Sequence, residues 1–243
     1  MSQMNWDREV DVLVVGTGNG GLTAAVCNWE MGTKDVLIIE KQDKVGGTSA
    51  TSGGGIWIPN SHYAKEVGAE DSPEAAKAYL MNTLFGEDVP EEMIDIYLEK
   101  APEMLKYLHD RTDVRYESLA EYPDYYTNME GAREGHRSLE PAPIMASELG
   151  ANWKNMTWTH FMMRMFNRIH FTQVEAHLLM VQLPGWKKLL ARLMWDYIRD
   201  IPWRLKTPIS RRLACGSAGV ARLYLSVLKR EIPLEFNTQM VEL

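Results

Sequence analysis

An α/β chain built on a parallel sheet, with a long and mainly helical insertion, is predicted by three observations. A short apolar strand runs into a glycine cluster, a second apolar strand follows downstream, and a proline-punctuated helical pattern fills the stretch from Ser61 to Ala214. Of the 243 residues, 45% are hydrophobic and 24% charged, a balance that supports a substantial buried core. The 26 Lys and Arg against 33 Asp and Glu leave a net charge of −7, which offers nucleic acid no general attraction. The two cysteines, Cys27 and Cys215, lie far apart and form neither a disulfide framework nor a metal-ligand cluster, so a reducing compartment fits. The opening residues MSQMNWDREVDVLVVG lack a basic segment followed by an apolar one, and no stretch reaches membrane-spanning length. A cytoplasmic location is therefore expected.

The first strand is Val10–Val15, whose β-branched run reads as fully buried in a parallel sheet. It ends at Gly16-Thr17-Gly18-Asn19-Gly20-Gly21, in which Gly16, Gly18 and Gly21 have the G-x-G-x-x-G spacing. In that arrangement Gly16 permits the turn, Gly18 lets the backbone approach a pyrophosphate, and Gly21 lets the next helix pack on the strand. That helix is read over the segment LTAAVCNWEMG, ending at Gly32, and its N-terminal N–H groups face the anion. A second strand, Asp35–Ile39, ends at Glu40, 19 residues past Gly21, where a carboxylate accepts from ribose hydroxyls. The order of strand, turn, helix, strand and acid predicts a Rossmann-like dinucleotide site. The segment Gly46–Gly55 is too rich in glycine and small hydroxyl residues for a helix or strand core, and reads as a loop of exposed amides and hydroxyls.

At this point the sequence resembles a known family. The glycine turn, Glu40-Lys41, and GGTSATSGGGIWIPN from Gly46 to Asn60 are similar to the fumarate reductase and 3-ketosteroid dehydrogenase flavoproteins, and GGGIWIPN to the 3-ketosteroid Δ1-dehydrogenases in particular. The resemblance continues through Pro73–Ala76, Glu103–Leu105, Tyr122-Pro123-Asp124-Tyr125-Tyr126, Glu130-Gly131 and Arg137–Pro141. It implies a Rossmann-like FAD-binding domain, incomplete in this chain, with Gly16, Gly18, Gly21, Glu40, Lys41, Gly47, Thr48, Ser49, Ser52, Gly53, Gly54 and the backbone near Val241 on the cofactor. It further implies that Tyr126 lines the active site and assists a catalytic tyrosine base, with a 3-ketosteroid as substrate and a separate electron acceptor. The base, the ketone-polarising tyrosine and the substrate domain are implied to lie beyond the matched region. From the residues alone, the tyrosine cluster reads as an aromatic loop patch. Some relatives attach FAD through a histidine after the double glycine. Thr48–Ser52 contains none, so noncovalent FAD is expected.

The sequence departs from the family pattern at Gly135-His136-Arg137 and at Gly216-Ser217-Ala218-Gly219, where an apolar anchor is missing beneath a helix read from Val220 to Glu231. His136 reads as a surface loop residue. Three parts are expected: 1–60 as the cofactor-binding βαβ unit with its glycine-rich loop, 61–213 as the helical insertion, and 214–243 as the return to the sheet, ending within a strand. Breaks are expected at Pro73, Pro90, Pro102, the 122–143 loop, Pro184, Pro202 and Pro208. Between 186 and 212 eight Lys and Arg stand against Asp196 and Asp200, interleaved with Trp186, Trp195 and Trp203. This segment reads either as a peripheral contact with an anionic membrane or as a solvated basic face with its tryptophans packed inward; the prolines favour the second. The chain is expected to be an incomplete FAD-dependent dehydrogenase, inactive alone. The alternatives are a noncatalytic FAD-binding fragment and part of a fumarate-reductase-like enoate reductase, although the arginines of a dicarboxylate site are not identifiable.

Overall fold

A computed structural model describes residues 8–242; residues 1–7, where a leader was sought, and Leu243 lie outside the described residues. The chain opens with β1 (Val12–Val15), α1 (Asn19–Glu30) and β2 (Val36–Ile39), and β1 and β2 pair in parallel with Val12 opposite Val36. The helix begins at Asn19, earlier than its apolar pattern indicates, because the glycine turn itself supplies the first helical residues. Leu22, Ala25 and Val26 on α1 pack against Val14, Val36 and Ile38 in the main core. β1 differs from the expected buried strand: Leu13 and Val15 are each 48% exposed. It is an edge strand, and only the face carrying Val14 is covered.

The glycine-rich segment is not wholly a loop. Gly46 adopts a left-handed conformation (φ 110°) and is followed by a short helix, α2 (Gly47–Thr51), that buries Ala50. Then come β3 (Ile56–Trp57), α3 (His62–Glu66), α4 (Pro73–Asn82) and α5 (Glu91–Arg111). Ser61 and Ser72 cap α3 and α4 by accepting the N–H groups of Ala64 and Ala75. Pro73 opens α4, as expected, whereas Pro102 lies inside α5 without ending it. One missing N–H in a 21-residue helix is outweighed by burial of Ile94, Leu105 and Leu108 along its inner face.

The remainder of the insertion is more mixed than its helical reading. β4 (Tyr116–Ser118) and β5 (Ser138–Pro141) form an antiparallel sheet with β3, in the order β3-β5-β4. Further on are β6 (Ile144–Met145), a 3₁₀ segment (Ala146–Asn155), the β7 (Arg164–Met165) and β8 (Ile169–His170) pair, α6 (Gln173–Met180), α7 (Trp186–Arg199), α8 (Ile201–Arg204) and β9 (Arg212–Leu213). These strands are two to four residues long, too short for a period-2 pattern to declare itself. Trp203 packs inward against Trp153 (centroids 4.8 Å apart), whereas Trp195 on α7 is exposed.

The last helix, α9 (Cys215–Lys229), starts five residues before the expected Val220 and is buried along nearly its whole length. Gly216 explains the missing anchor. A Cβ there would stand 2.2 Å from the Ser49 carbonyl oxygen and 2.7 Å from that of Ser52, so α9 meets the α2 turn backbone to backbone. The chain then returns to the sheet through β10 (Leu234–Glu235), parallel to β2 on the side opposite β1. Residues 241–242 form no strand, and Val241 is 89% exposed.

One buried side chain gives the fold a pH signature. His170 is enclosed among β8, Ser210 and Trp158; burial, then the charges of Arg164 and Arg212, lower its pKa from 6.5 to about 3. The unfolded chain therefore binds a proton below pH 6.5 that the folded chain refuses until about pH 3. Stability is lost as pH falls through that window, by up to about 1.4 kcal/mol per pH unit from this group. Urea denaturation at pH 7 and pH 4.5 should show a smaller acid-induced loss for His170→Gln than for the unsubstituted chain; identical losses would assign the acid sensitivity elsewhere.

Candidate functional site

The end of β1, the glycine turn, the end of β2 and the start of α2 converge on a groove of about 800 Å³. Gly16, Gly18, Glu40, Lys41, Gly47, Thr48 and Ser49 all line it, joined by residues that sequence reasoning did not single out: Thr17, Gln42, Thr157, Thr238 and Met240. The motif assigned roles to the glycines and the acid and left the intervening positions open, and Thr157 and Thr238 arrive from distant segments that carry no motif.

Glu40 is buried and its carboxylate is fully engaged on one side. Its Oε2 accepts the backbone N–H of Thr17 (3.0 Å) and the Thr17 hydroxyl (2.5 Å), while Oε1 accepts the N–H of Gln42 (3.0 Å). The Thr17 hydroxyl in turn accepts the N–H of Gly46 (3.1 Å), so the turn, the acid and the second glycine segment form one hydrogen-bonded chain. Ser49 accepts the N–H of Asn19 (3.1 Å) across the mouth of the groove. Gly21 lies behind the groove, where a Cβ would stand 2.1 Å from the Gly16 carbonyl oxygen, which is the close strand–helix packing expected of the third glycine. Asn19 Oδ1 is buried at the turn with no partner.

Besides Gly21, four expected cofactor residues sit outside this groove. Ser52 and Gly54 fasten the segment to α9: Ser52 O accepts the N–H of Gly216 (3.0 Å), and a Cβ on Gly54 would stand 2.7 Å from the Gly216 nitrogen. Gly53 presents its carbonyl to the Gln173 side chain (3.4 Å). Val241 is outside the groove, next to Met240, which lines it.

Tyr126 lines a second cavity of about 370 Å³, with Gly55, Trp57, Tyr79, Tyr122, Tyr125 and Gln173 among its walls. Tyr126 is 45% exposed and packs edge-on against Phe85 (5.0 Å), whereas Tyr125 is 88% exposed. The segment that carries them is anchored by Arg137, which is 2% exposed. Its Nε and Nη2 donate to the two Asp71 oxygens (2.9 and 2.7 Å) and its Nη1 to Asp124 Oδ2 (2.8 Å). Asp124 also accepts the Trp57 indole N–H (2.7 Å), and the Tyr126 N–H donates to the Tyr79 hydroxyl (3.2 Å). Burial works to raise the Asp71 pKa, but the hydrogen bonds and charge of Arg137 outweigh it and hold that carboxyl below its ordinary value. His136 sits in this region with φ 69° and its Nδ1 3.0 Å from the Ser118 hydroxyl, a local turn contact away from the tyrosine cavity. A third, more apolar cavity of about 950 Å³ adjoins the second through Leu119, Tyr122, Pro123 and Gln173, and extends to Leu178 and Leu183.

The groove has the parts an adenine dinucleotide needs: an acid at the end of β2, a turn without side chains at Gly16 and Gly18, and helix N-terminal amides beside an unsatisfied polar atom. Residues 11–243 match the FAD binding domain family. The chain belongs to that family, and FAD is its cofactor. It is 33% identical over 238 residues to the 3-oxosteroid 1-dehydrogenase of Comamonas testosteroni, covering 98% of this chain and 41% of that protein. It is 39% identical over 149 residues to the 3-oxosteroid 1-dehydrogenase of Mycolicibacterium smegmatis, covering 61% and 26%. The crystal structure of 3-ketosteroid delta1-dehydrogenase from Sterolibacterium denitrificans in complex with 1,4-androstadiene-3,17-dione superposes with a TM-score of 0.87 at 36% identity, over 94% of this chain and 40% of that one. The chain thus spans about two-fifths of the length of the Comamonas and Sterolibacterium proteins.

Removing the carboxylate should weaken FAD binding. Glu40→Ala is expected to cost about 1–3 kcal/mol of affinity, read as quenching of flavin fluorescence on titration, because a charged acceptor for a ribose hydroxyl is lost. Gly18→Val should bind still less, its side chain occupying the pyrophosphate path. Unchanged affinity in Glu40→Ala would remove the acid from the site.

Proposed function

We propose that this chain is the FAD-holding part of a dehydrogenase that introduces a carbon–carbon double bond beside the ketone of a 3-ketosteroid. The observation that carries the reading is the cavity around Tyr126, whose wall at Gly55–Trp57 directly continues the glycine-rich segment of the cofactor groove. The relatives named for this reaction support it. Bound FAD, held without a covalent link, supplies the hydride acceptor. The residues of this chain supply placement: Glu40 and the glycine turn orient the dinucleotide, and the Arg137 network fixes the tyrosine segment. Tyr126 presents a half-exposed hydroxyl to assist the base that removes the proton next to the ketone. The base and the group that polarises the ketone come from outside these residues. The apolar cavity leading to Leu178 and Leu183 suits a rigid hydrocarbon ligand better than a dicarboxylate, which favours a steroid over fumarate.

A second reading concerns the basic segment. Trp195, Ile198, Ile201 and Leu205 are exposed on α7, α8 and the residue after it, and Trp195 and Ile198 share a helical face at i, i+3. Lys187 and Lys188 lie on the same helix, while Arg192 and Arg199 are paired with Glu175 (2.9 Å) and Asp196 (3.2 Å), so the apolar strip has a partly neutralised basic surround that suits the interface of an anionic membrane. No described helix is long and apolar enough to cross a membrane, so the proposed contact is peripheral.

In the FAD-loaded protein that contains this chain, Tyr126→Phe should retain flavin and thermal stability and lose roughly a hundred-fold in kcat on a 3-ketosteroid with an artificial electron acceptor. Equal loss of flavin and stability would make Tyr126 a packing residue, and full activity would remove it from the site. Cosedimentation with vesicles containing phosphatidylserine should fall when Trp195→Ala is combined with Lys187→Glu and Lys188→Glu; unchanged sedimentation would leave the strip as an ordinary solvated face.

A further inference from the structure

Among the groups lining the cofactor groove, Thr17 has contacts that the glycine motif does not require. Its side chain is almost fully buried, and its hydroxyl stands at a three-way junction: it donates to Glu40 Oε2 (2.5 Å) and accepts from the Gly46 N–H (3.1 Å), while its own N–H donates to the same carboxylate oxygen (3.0 Å). A short O–H···O⁻ bond of this kind is charge-assisted and directional. An ionised carboxylate has about four acceptor positions, two on each oxygen. Thr17 fills both on Oε2, and the Gln42 N–H (3.0 Å) takes one on Oε1. One position therefore remains, on Oε1, the oxygen that does not contact the glycine turn through Thr17.

We infer that Thr17 is a positioning residue for the cofactor: its hydroxyl locks the Glu40 carboxylate in the rotamer that leaves a single Oε1 position for one ribose hydroxyl of the ADP part. The inference rests on Glu40 being the ribose acceptor, and adds what fixes its geometry. Without the hydroxyl, Oε2 keeps only a backbone N–H, the side chain regains rotational freedom, and an acceptor position opens on the wrong oxygen. The bond from Gly46 adds a second effect. Gly46 begins the segment that carries Gly47–Ser49 into the groove, so the same hydroxyl ties the ribose end of the site to its second glycine wall.

The test uses this chain and two probes, ADP and dideoxy-ADP, which lacks both ribose hydroxyls, titrated by calorimetry. The unsubstituted chain should prefer ADP by about ten-fold, the scale of a hydrogen bond to a charged acceptor. Thr17→Ser keeps the hydroxyl and should keep that preference, whereas Thr17→Val, nearly isosteric, should reduce it to about two-fold or less, leaving the carboxylate present and misdirected. A purely structural role would weaken both probes together and leave their ratio unchanged. The inference is overturned if Thr17→Val keeps the full preference, if Thr17→Ser loses it equally, or if Thr17→Val does not fold, which would assign the residue to folding alone. If the unsubstituted chain shows no preference, the ribose reading of Glu40 fails first and takes this inference with it.

Discussion

The arrangement depends on one contact between two stretches of bare backbone. Gly216 at the start of α9 lies against the carbonyl oxygens of Ser49, Ala50 and Ser52, at a distance that no side chain permits. Because the two backbones touch, α9 is drawn down its whole length into the core beside α1, and the short helix α2 is held at the mouth of the groove. Gly46 and Gly54 serve the same approach from the other side, each in a left-handed conformation in which a Cβ would collide with Val220 or Gly216. The cofactor groove is thus walled on one flank by a segment whose own side chains are too small to hold it, and the packing of α9 supplies the rigidity that those side chains lack.

Around this frame the polar groups divide into two networks with different tasks. Near the sheet, Thr17, Glu40, Gln42 and Gly46 are linked by short-range hydrogen bonds that leave few acceptor positions open on the groove wall. Near the antiparallel sheet, Arg137 gathers Asp71 and Asp124 from separate segments, and Asp124 extends the network to Trp57. Removing one partner from such a buried set strands the others without compensation, at a cost of about 3–5 kcal/mol. The tyrosine segment this network holds is only two residues away from Asp124.

Much of the candidate groove was legible in the sequence because its segments are local. The strand, glycine turn, helix, strand and Glu40 occupy 31 consecutive positions from Val10, and their convergence follows from spacing. What spacing did not reveal came from distance along the chain. Thr157 and Thr238 line the groove from segments more than a hundred residues away from the turn, and the Arg137 network joins positions 71, 124 and 137. Pro102 and the 215–219 stretch misled for a related reason: local rules place a break at a proline and a weak helix at two glycines, and tertiary burial overrode both. The insertion read as helical because its strands are short and pair with partners far away in sequence, as β6 does with β9. Leu13 and Val15 show the reverse case, a strand whose composition promised two buried faces and whose described surroundings cover one.

The Arg137 network has an asymmetry that bears on how the tyrosine segment is released. A guanidinium stays protonated throughout the pH range in which proteins survive, so the cationic half of the clamp offers no proton-linked way out. On the Asp71 side, Arg137 holds the carboxyl below its ordinary value, so that pair stays charged to lower pH than an unpaired aspartate would. The Arg137–Asp71 pair therefore keeps both charges through the modest acidity changes that operate histidine switches. A displacement of the Tyr126 side chain would accordingly be borne by the residues on the far side of Asp124, with the clamp as its fixed pivot.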